Sequence, residues 1–86
     1  MANHPSAEKR HRQSLKRQSR NMAVRSRMRT AVKGLRSLVE SGDAEGARAE
    51  LPKVTAILDK AATKGVLHRN SAARRTARLA RAVSKL

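Results

Sequence analysis

Arg74, Arg78, Arg81 and Lys85 recur at intervals of four, three and four residues. On an α-helix they fall within about 60° of one another and stack in a column, about 5–6 Å between neighbours. Leu79, Val83 and Leu86 fall on the opposite side. Such a helix packs with one face and presents a ridge of cations with the other. The chemistry open to that ridge is phosphate recognition, in which Lys and Arg displace the counterions condensed on a polyanion. A merely solvated face would carry Glu or Asp for support at i, i+4. None occurs between Lys60 and Leu86, while Lys64, Arg69 and Arg75 add further positive charge.

A second basic block opens the chain. Lys9, Arg10, Arg12, Lys16, Arg17, Arg20, Arg25, Arg27 and Arg29 face one acid, Glu8, in residues 1–29. Lys9, Lys16, Arg20 and Arg27 share one side of a helix. Arg10 and Arg17 lie about 90° away, and Arg25 and Arg29 farther round. Cations that encircle a helix suit insertion between two or more RNA segments rather than into one groove. Gln13, Ser14, Gln18, Ser19, Asn21 and Ser26 fill the gaps with neutral groups able to bond phosphates, sugar hydroxyls or base edges. Between the blocks, residues 30–60 hold five bases and five acids.

Other chemistry is poorly provided for. The chain has no cysteine, so disulfides, thiolate catalysis and Cys-ligated zinc are excluded. His4 and His11 are seven residues apart, with His4 ahead of the first helix and His68 in a distant turn, so no metal site is expected. In the tight turn His68-Arg69-Asn70 all three residues are candidates for contact with phosphate or a 2′-hydroxyl. No Ser/His/Asp set, carboxylate pair or Gly-rich phosphate loop occurs. Neither catalytic residues nor cofactors are expected. The chain also lacks Phe, Tyr and Trp. Readers of single-stranded RNA stack bases on aromatic platforms, so recognition of folded, double-helical RNA by shape and backbone is favoured.

Length and composition bound the rest. The 86 residues allow one small domain carrying a net charge of +15. Self-repulsion at that charge opposes folding until a polyanion neutralises it. No apolar run approaches ~18 residues, so no membrane span is expected, and the basic N-terminal stretch lacks the apolar run of a secretory signal. The basic, Ser-rich start is also the composition of a mitochondrial transit peptide, but the same composition returns at the C-terminus. The lack of cysteine fits a cytoplasmic location.

The elements that must position these cations are helices. Ser6 is read as the N-cap of a first helix, with Glu8 in its first turn. Only Gly34 weakens the stretch from Ala7 to Glu40, until Ser41-Gly42-Asp43 stops it with Gly42 in the left-handed position. That helix is roughly 35 residues, about 50 Å long, more than a domain this small can cover. Asp43 caps a second helix from Ala44 to Lys64, in which Pro52 is expected to kink or divide the helix near Glu50-Leu51. After Lys64-Gly65, Asn70 is read as the cap of a third helix ending near Leu86. Apolar stripes run along Val24, Met28, Val32, Leu35 and Val39, along Ala47, Leu51, Val54, Leu58 and Ala61, and along Ala72, Leu79, Val83 and Leu86. The predicted fold is therefore all-α: an antiparallel three-helix bundle with a long, basic, protruding N-terminal first helix. Residues 24–86 form the bundle and residues 1–23 its extension, within a single domain. Leu15 and Met22 lie off the first stripe, and the extension is expected to fray in the free protein and to complete its helix on binding.

Several segments resemble the S20 family of bacterial small-subunit ribosomal proteins. They are Met1-Ala2-Asn3 through Ser6-Ala7 and Lys9-Arg10, then Ser26-Arg27-Met28-Arg29-Thr30 with Val32-Lys33, then Ala61-Ala62. The match continues through Lys64-Gly65-Val66-Leu67-His68-Arg69-Asn70 and Ala72-Ala73-Arg74, and that turn is its most specific part. The resemblance implies a three-helix bundle that binds 16S ribosomal RNA directly, low in the body of the small subunit. It also implies early assembly and a bridge between RNA of the 5′ domain and the long penultimate helix. The expected partner is 16S ribosomal RNA, with few protein contacts, no homo-oligomer and no membrane. Two rivals are a histone-like DNA-binding protein and a membrane-active cationic helix. The first is disfavoured by Arg-dominance and a fixed bundle. The second lacks large apolar groups in residues 7–23 beyond Leu15 and Met22.

Overall fold

The computed structural model describes residues 5–86, which form three α-helices: α1 (Pro5–Glu40), α2 (Ala44–Thr63) and α3 (Arg69–Ser84). His4 lies outside the described residues. The helices pack antiparallel in sequence, and the molecule measures 63 × 21 × 15 Å. The long dimension is set by α1, whose 36 residues span about 54 Å.

Glycine sets both helix stops. Gly42 and Gly65 have φ of 76° and 77°, the left-handed region that a side chain makes costly. At the first stop the Gly42 N–H donates to the Val39 carbonyl (3.1 Å) and the Asp43 N–H to the Leu38 carbonyl (3.0 Å). At the second, Gly65 donates to Ala62 and Val66 to Ala61, each at 3.0 Å. Both are Schellman closures, which satisfy the last carbonyls of a helix and reverse the chain in few residues. The Asp43 carboxylate then accepts from the Gly46 N–H at 2.9 Å and so starts α2 as expected.

Three local expectations require correction. Ser6 is not the cap of α1, because the helix already includes Pro5. Asn70 does not cap α3: that role belongs to His68 at an extended ψ of 141°, and α3 starts two residues earlier than a cap at Asn70 implies, at Arg69. Pro52 does not divide α2, which is a single helix of 20 residues. The missing Pro52 N–H would have bonded the Arg48 carbonyl, and both residues lie on the exposed face of α2.

The core sits where the stripes meet. Leu35, Val54 and Leu58 are the largest fully buried side chains, surrounded by Val24, Met28, Ala47, Ala61, Leu79 and Val83. Of the striped positions, Val32, Val39, Leu51 and Leu86 are only partly covered and pack on the margin. α2 lies between the other two helices and packs along both, whereas α1 and α3 touch over a short stretch. That unequal packing leaves an open seam between α1 and α3. Toward the N-terminus the core ends at Val24, and every residue from Ser6 to Arg20 is exposed.

Candidate nucleic-acid interface

All 21 Lys and Arg side chains are exposed. Among the described residues one ion pair forms, Lys53 to Glu50 at 3.4 Å, with the Lys53 side chain largely and the Glu50 side chain partly in solvent. A pair of that kind contributes little. The positive charge is thus displayed rather than consumed by internal pairing.

It is displayed on four features. The first is the free part of α1, where Lys9, Arg10, Arg12, Lys16, Arg17 and Arg20 stand around a helix that nothing in the chain covers. The second is the α3 ridge: Arg74, Arg78, Arg81 and Lys85 are exposed, while Ala72, Leu79 and Val83 on the other side are buried. The third is the turn before α3. The His68 Nδ1 accepts the Asn70 N–H at 3.1 Å, which places Arg69 and Asn70 in the first turn of α3, both exposed. A neutral imidazole that accepts at Nδ1 carries its hydrogen on Nε2, so His68 offers one outward donor.

The fourth feature is the seam between α1 and α3. It opens into a cavity of about 680 Å³ lined by Met28, Arg29, Val32, Lys33, Arg36, Ser37 and Glu40 of α1 and by Arg75, Arg78 and Leu79 of α3. A smaller hollow of about 260 Å³ adjoins it, sharing Met28, Arg29 and Arg75 and reaching Arg25, Val66 and Leu67. The structure therefore brings Arg25 and Arg29 together with Arg75 and Arg78, and it separates Arg27, which lies on the far side of α1. Sequence reasoning missed Lys33 and Arg36. Counted by region, they cancel against the acids of the α1–α2 turn. Taken by helical angle, Arg25, Arg29, Lys33 and Arg36 form a column within about 80° beside the apolar stripe.

Among the described residues there is no group of three His, Cys, Asp or Glu able to hold a metal, and no helix is long and apolar enough to cross a membrane. The fold and its displayed charge define a class, that of small helical polycations with an uncovered basic arm. The family is specific. Residues 2–84 match the model of ribosomal protein S20, and the chain belongs to that family. It is 57% identical over 86 residues to the small ribosomal subunit protein bS20 of Maridesulfovibrio salexigens, covering 100% of this chain and 99% of that one. The proteins of the same name from Nitratidesulfovibrio vulgaris and Anaeromyxobacter dehalogenans are 50% and 49% identical, covering 99% and 92% of their own lengths. Membership makes the chain a ribosomal protein and not an enzyme.

Proposed function

We propose that this chain is a component of the small ribosomal subunit that binds 16S ribosomal RNA directly and bridges RNA segments during assembly. The observation that carries the reading is the exposure of every Lys and Arg beside a single weak ion pair among the described residues. The names of the relatives, small ribosomal subunit proteins throughout, agree with it.

In this reading the bundle of residues 24–86 is a spacer and the arm of residues 1–23 is a probe. Lys9, Arg10, Arg12, Lys16, Arg17 and Arg20 meet phosphates on more than one side of the arm, with Arg25, Arg27 and Arg29 continuing the contact. Arg74, Arg78, Arg81 and Lys85 hold a separate segment, with Arg75 beside them, while His68, Arg69 and Asn70 contact the backbone at the turn. The absence of aromatic side chains directs recognition to the shape and backbone of folded RNA rather than to stacked bases. The protein acts as a monomer with few protein neighbours.

The test is a titration of the full chain with 16S ribosomal RNA and with duplex DNA at matched salt. If about ten phosphates are neutralised, log K falls against log salt with a slope of about −7 to −9, and the ribosomal RNA outcompetes the DNA. Binding indifferent to salt would defeat the reading, and a preference for duplex DNA would replace it with the histone-like alternative.

A further inference from the structure

We propose that the seam between α1 and α3 seats one sugar–phosphate strand of RNA lengthwise, as a contact that shares only Arg78 with the α3 ridge. The inference rests on the RNA-binding reading above and adds to it a site built by two helices together.

The two walls of the seam are cationic. On α1, Arg25, Arg29, Lys33 and Arg36 advance by four, four and three residues, about 6, 6 and 4.5 Å of rise and about 16 Å in all. That column matches the repeat of phosphates along one strand, so successive phosphates can each meet a cation. Arg75 and Arg78 face it from α3, and the one acid on the seam is Glu40, at its far end. Like charges lining one cleft repel across it, the more so the less salt screens them. A phosphodiester chain between them removes the repulsion and offers each guanidinium a two-pronged acceptor.

The floor decides between occupants. Met28 and Leu79 are only 5% and 6% exposed and Val32 is the one partly exposed apolar side chain beside them, so the apolar bed is narrow. An acidic amphipathic helix would dock through its apolar face and would gain little here. A strand edge needs no more than a shallow apolar bed for its ribose while its phosphates turn to the walls. A whole duplex is too broad for a cleft of about 680 Å³, but one of its strands can enter as a rail.

The chain has no cysteine, so single cysteines can carry an iron chelate that cuts nearby RNA with hydroxyl radicals. Probes at Lys33→Cys and Arg75→Cys, on opposite walls, are expected to cut the same few nucleotides of 16S ribosomal RNA. A probe at Arg81→Cys is expected to cut elsewhere. In a parallel titration, Lys33→Gln/Arg36→Gln/Arg75→Gln is expected to lose about tenfold in affinity or more. Its salt slope should be shallower by about 2 to 3. These side chains are exposed and their removal relieves repulsion, so unchanged helical circular dichroism is expected. A wild-type slope in the triple variant, or wall probes that cut unrelated segments, overturns the seam as a seat while Arg74→Gln/Arg81→Gln/Lys85→Gln still weakens binding. A wild-type chain that binds without salt dependence defeats the broader reading instead. Capture of an acidic protein by the seam, with RNA affinity unaffected by the triple variant, also overturns it.

Discussion

The two halves of α1 are one continuous helix held by different forces. From Val24 onward the helix has a buried stripe, with Leu35 wholly enclosed and Val24 and Met28 nearly so. From Ser6 to Arg20 no side chain is covered, and Leu15 and Met22 remain 51% and 66% exposed. The bundle half is stabilised by burial, at roughly 25 cal/mol for each Å² of apolar surface removed from water. The arm half has only its own backbone hydrogen bonds, among cations that repel one another. Isolated helices of that length are marginal in water. The comparison teaches that a helix can be one object geometrically and two energetically, with the boundary where the apolar stripe begins.

Breaking the bundle should have the largest effect. Leu58→Ala removes a wholly buried side chain and is expected to cost about 2–5 kcal/mol. For a domain of this size that is a drop in melting temperature of about 8 °C or more, read by thermal circular dichroism. Equal truncation in the arm, Leu15→Ala, should leave the transition in place. If both variants melt alike, the division of α1 is wrong.

The arm is sharpened by a change that spares stability. Arg10→Gln/Arg17→Gln/Arg20→Gln should leave the melting curve unchanged or raise it. The same variant should weaken binding to 16S ribosomal RNA by about tenfold and make the salt slope shallower by about 2 to 3. Adding that RNA to the wild-type chain should increase helical ellipticity as the arm is completed; a constant signal would show an arm already fully formed.

Two glycines give smaller, opposite shifts. Gly65→Ala forces a side chain into a backbone with φ of 77° and should destabilise by about 1–2 kcal/mol in urea denaturation. Gly34→Ala meets nothing within 4 Å in a helical position and should stabilise by up to about 1 kcal/mol. Its gain should appear in the bundle transition, because Gly34 lies within the half of α1 that the core holds.

Much of this was legible because the signals were local. Gly42 and Gly65 sit where only a residue without a side chain is at ease, and Asp43 is a strong capping group, so the helix stops followed from residue types alone. The apolar stripes likewise named Leu35, Val54 and Leu58 as the core. The misreadings have local causes too. Asn70 outranks His68 as a general cap, yet the imidazole Nδ1 reaches the N–H two residues on, and the helix begins two residues sooner. Pro52 was expected to kink or divide α2, and the helix is not divided: Pro52 lies on the exposed side of a helix anchored by Ala47, Val54, Leu58 and Ala61. The seam could not be read in any one segment. Each helix announces its own apolar face, but which two of three helices pack least closely is settled only when all three compete for the same core. Lys33 and Arg36 acquired their facing partners from that outcome.

The uneven placement of acids along α1 has a consequence for encounter. No Asp or Glu occurs between Glu8 and Glu40, and Glu40, Asp43 and Glu45 gather about the α1–α2 turn. The 63 Å rod is thus a compass needle, with one pole at the bare arm and its weak pole at the acidic bend. In the field of a polyanion such a distribution of charge turns the arm foremost, so that the binding proposed above would begin at the arm. Added salt should blunt that alignment and slow the capture step.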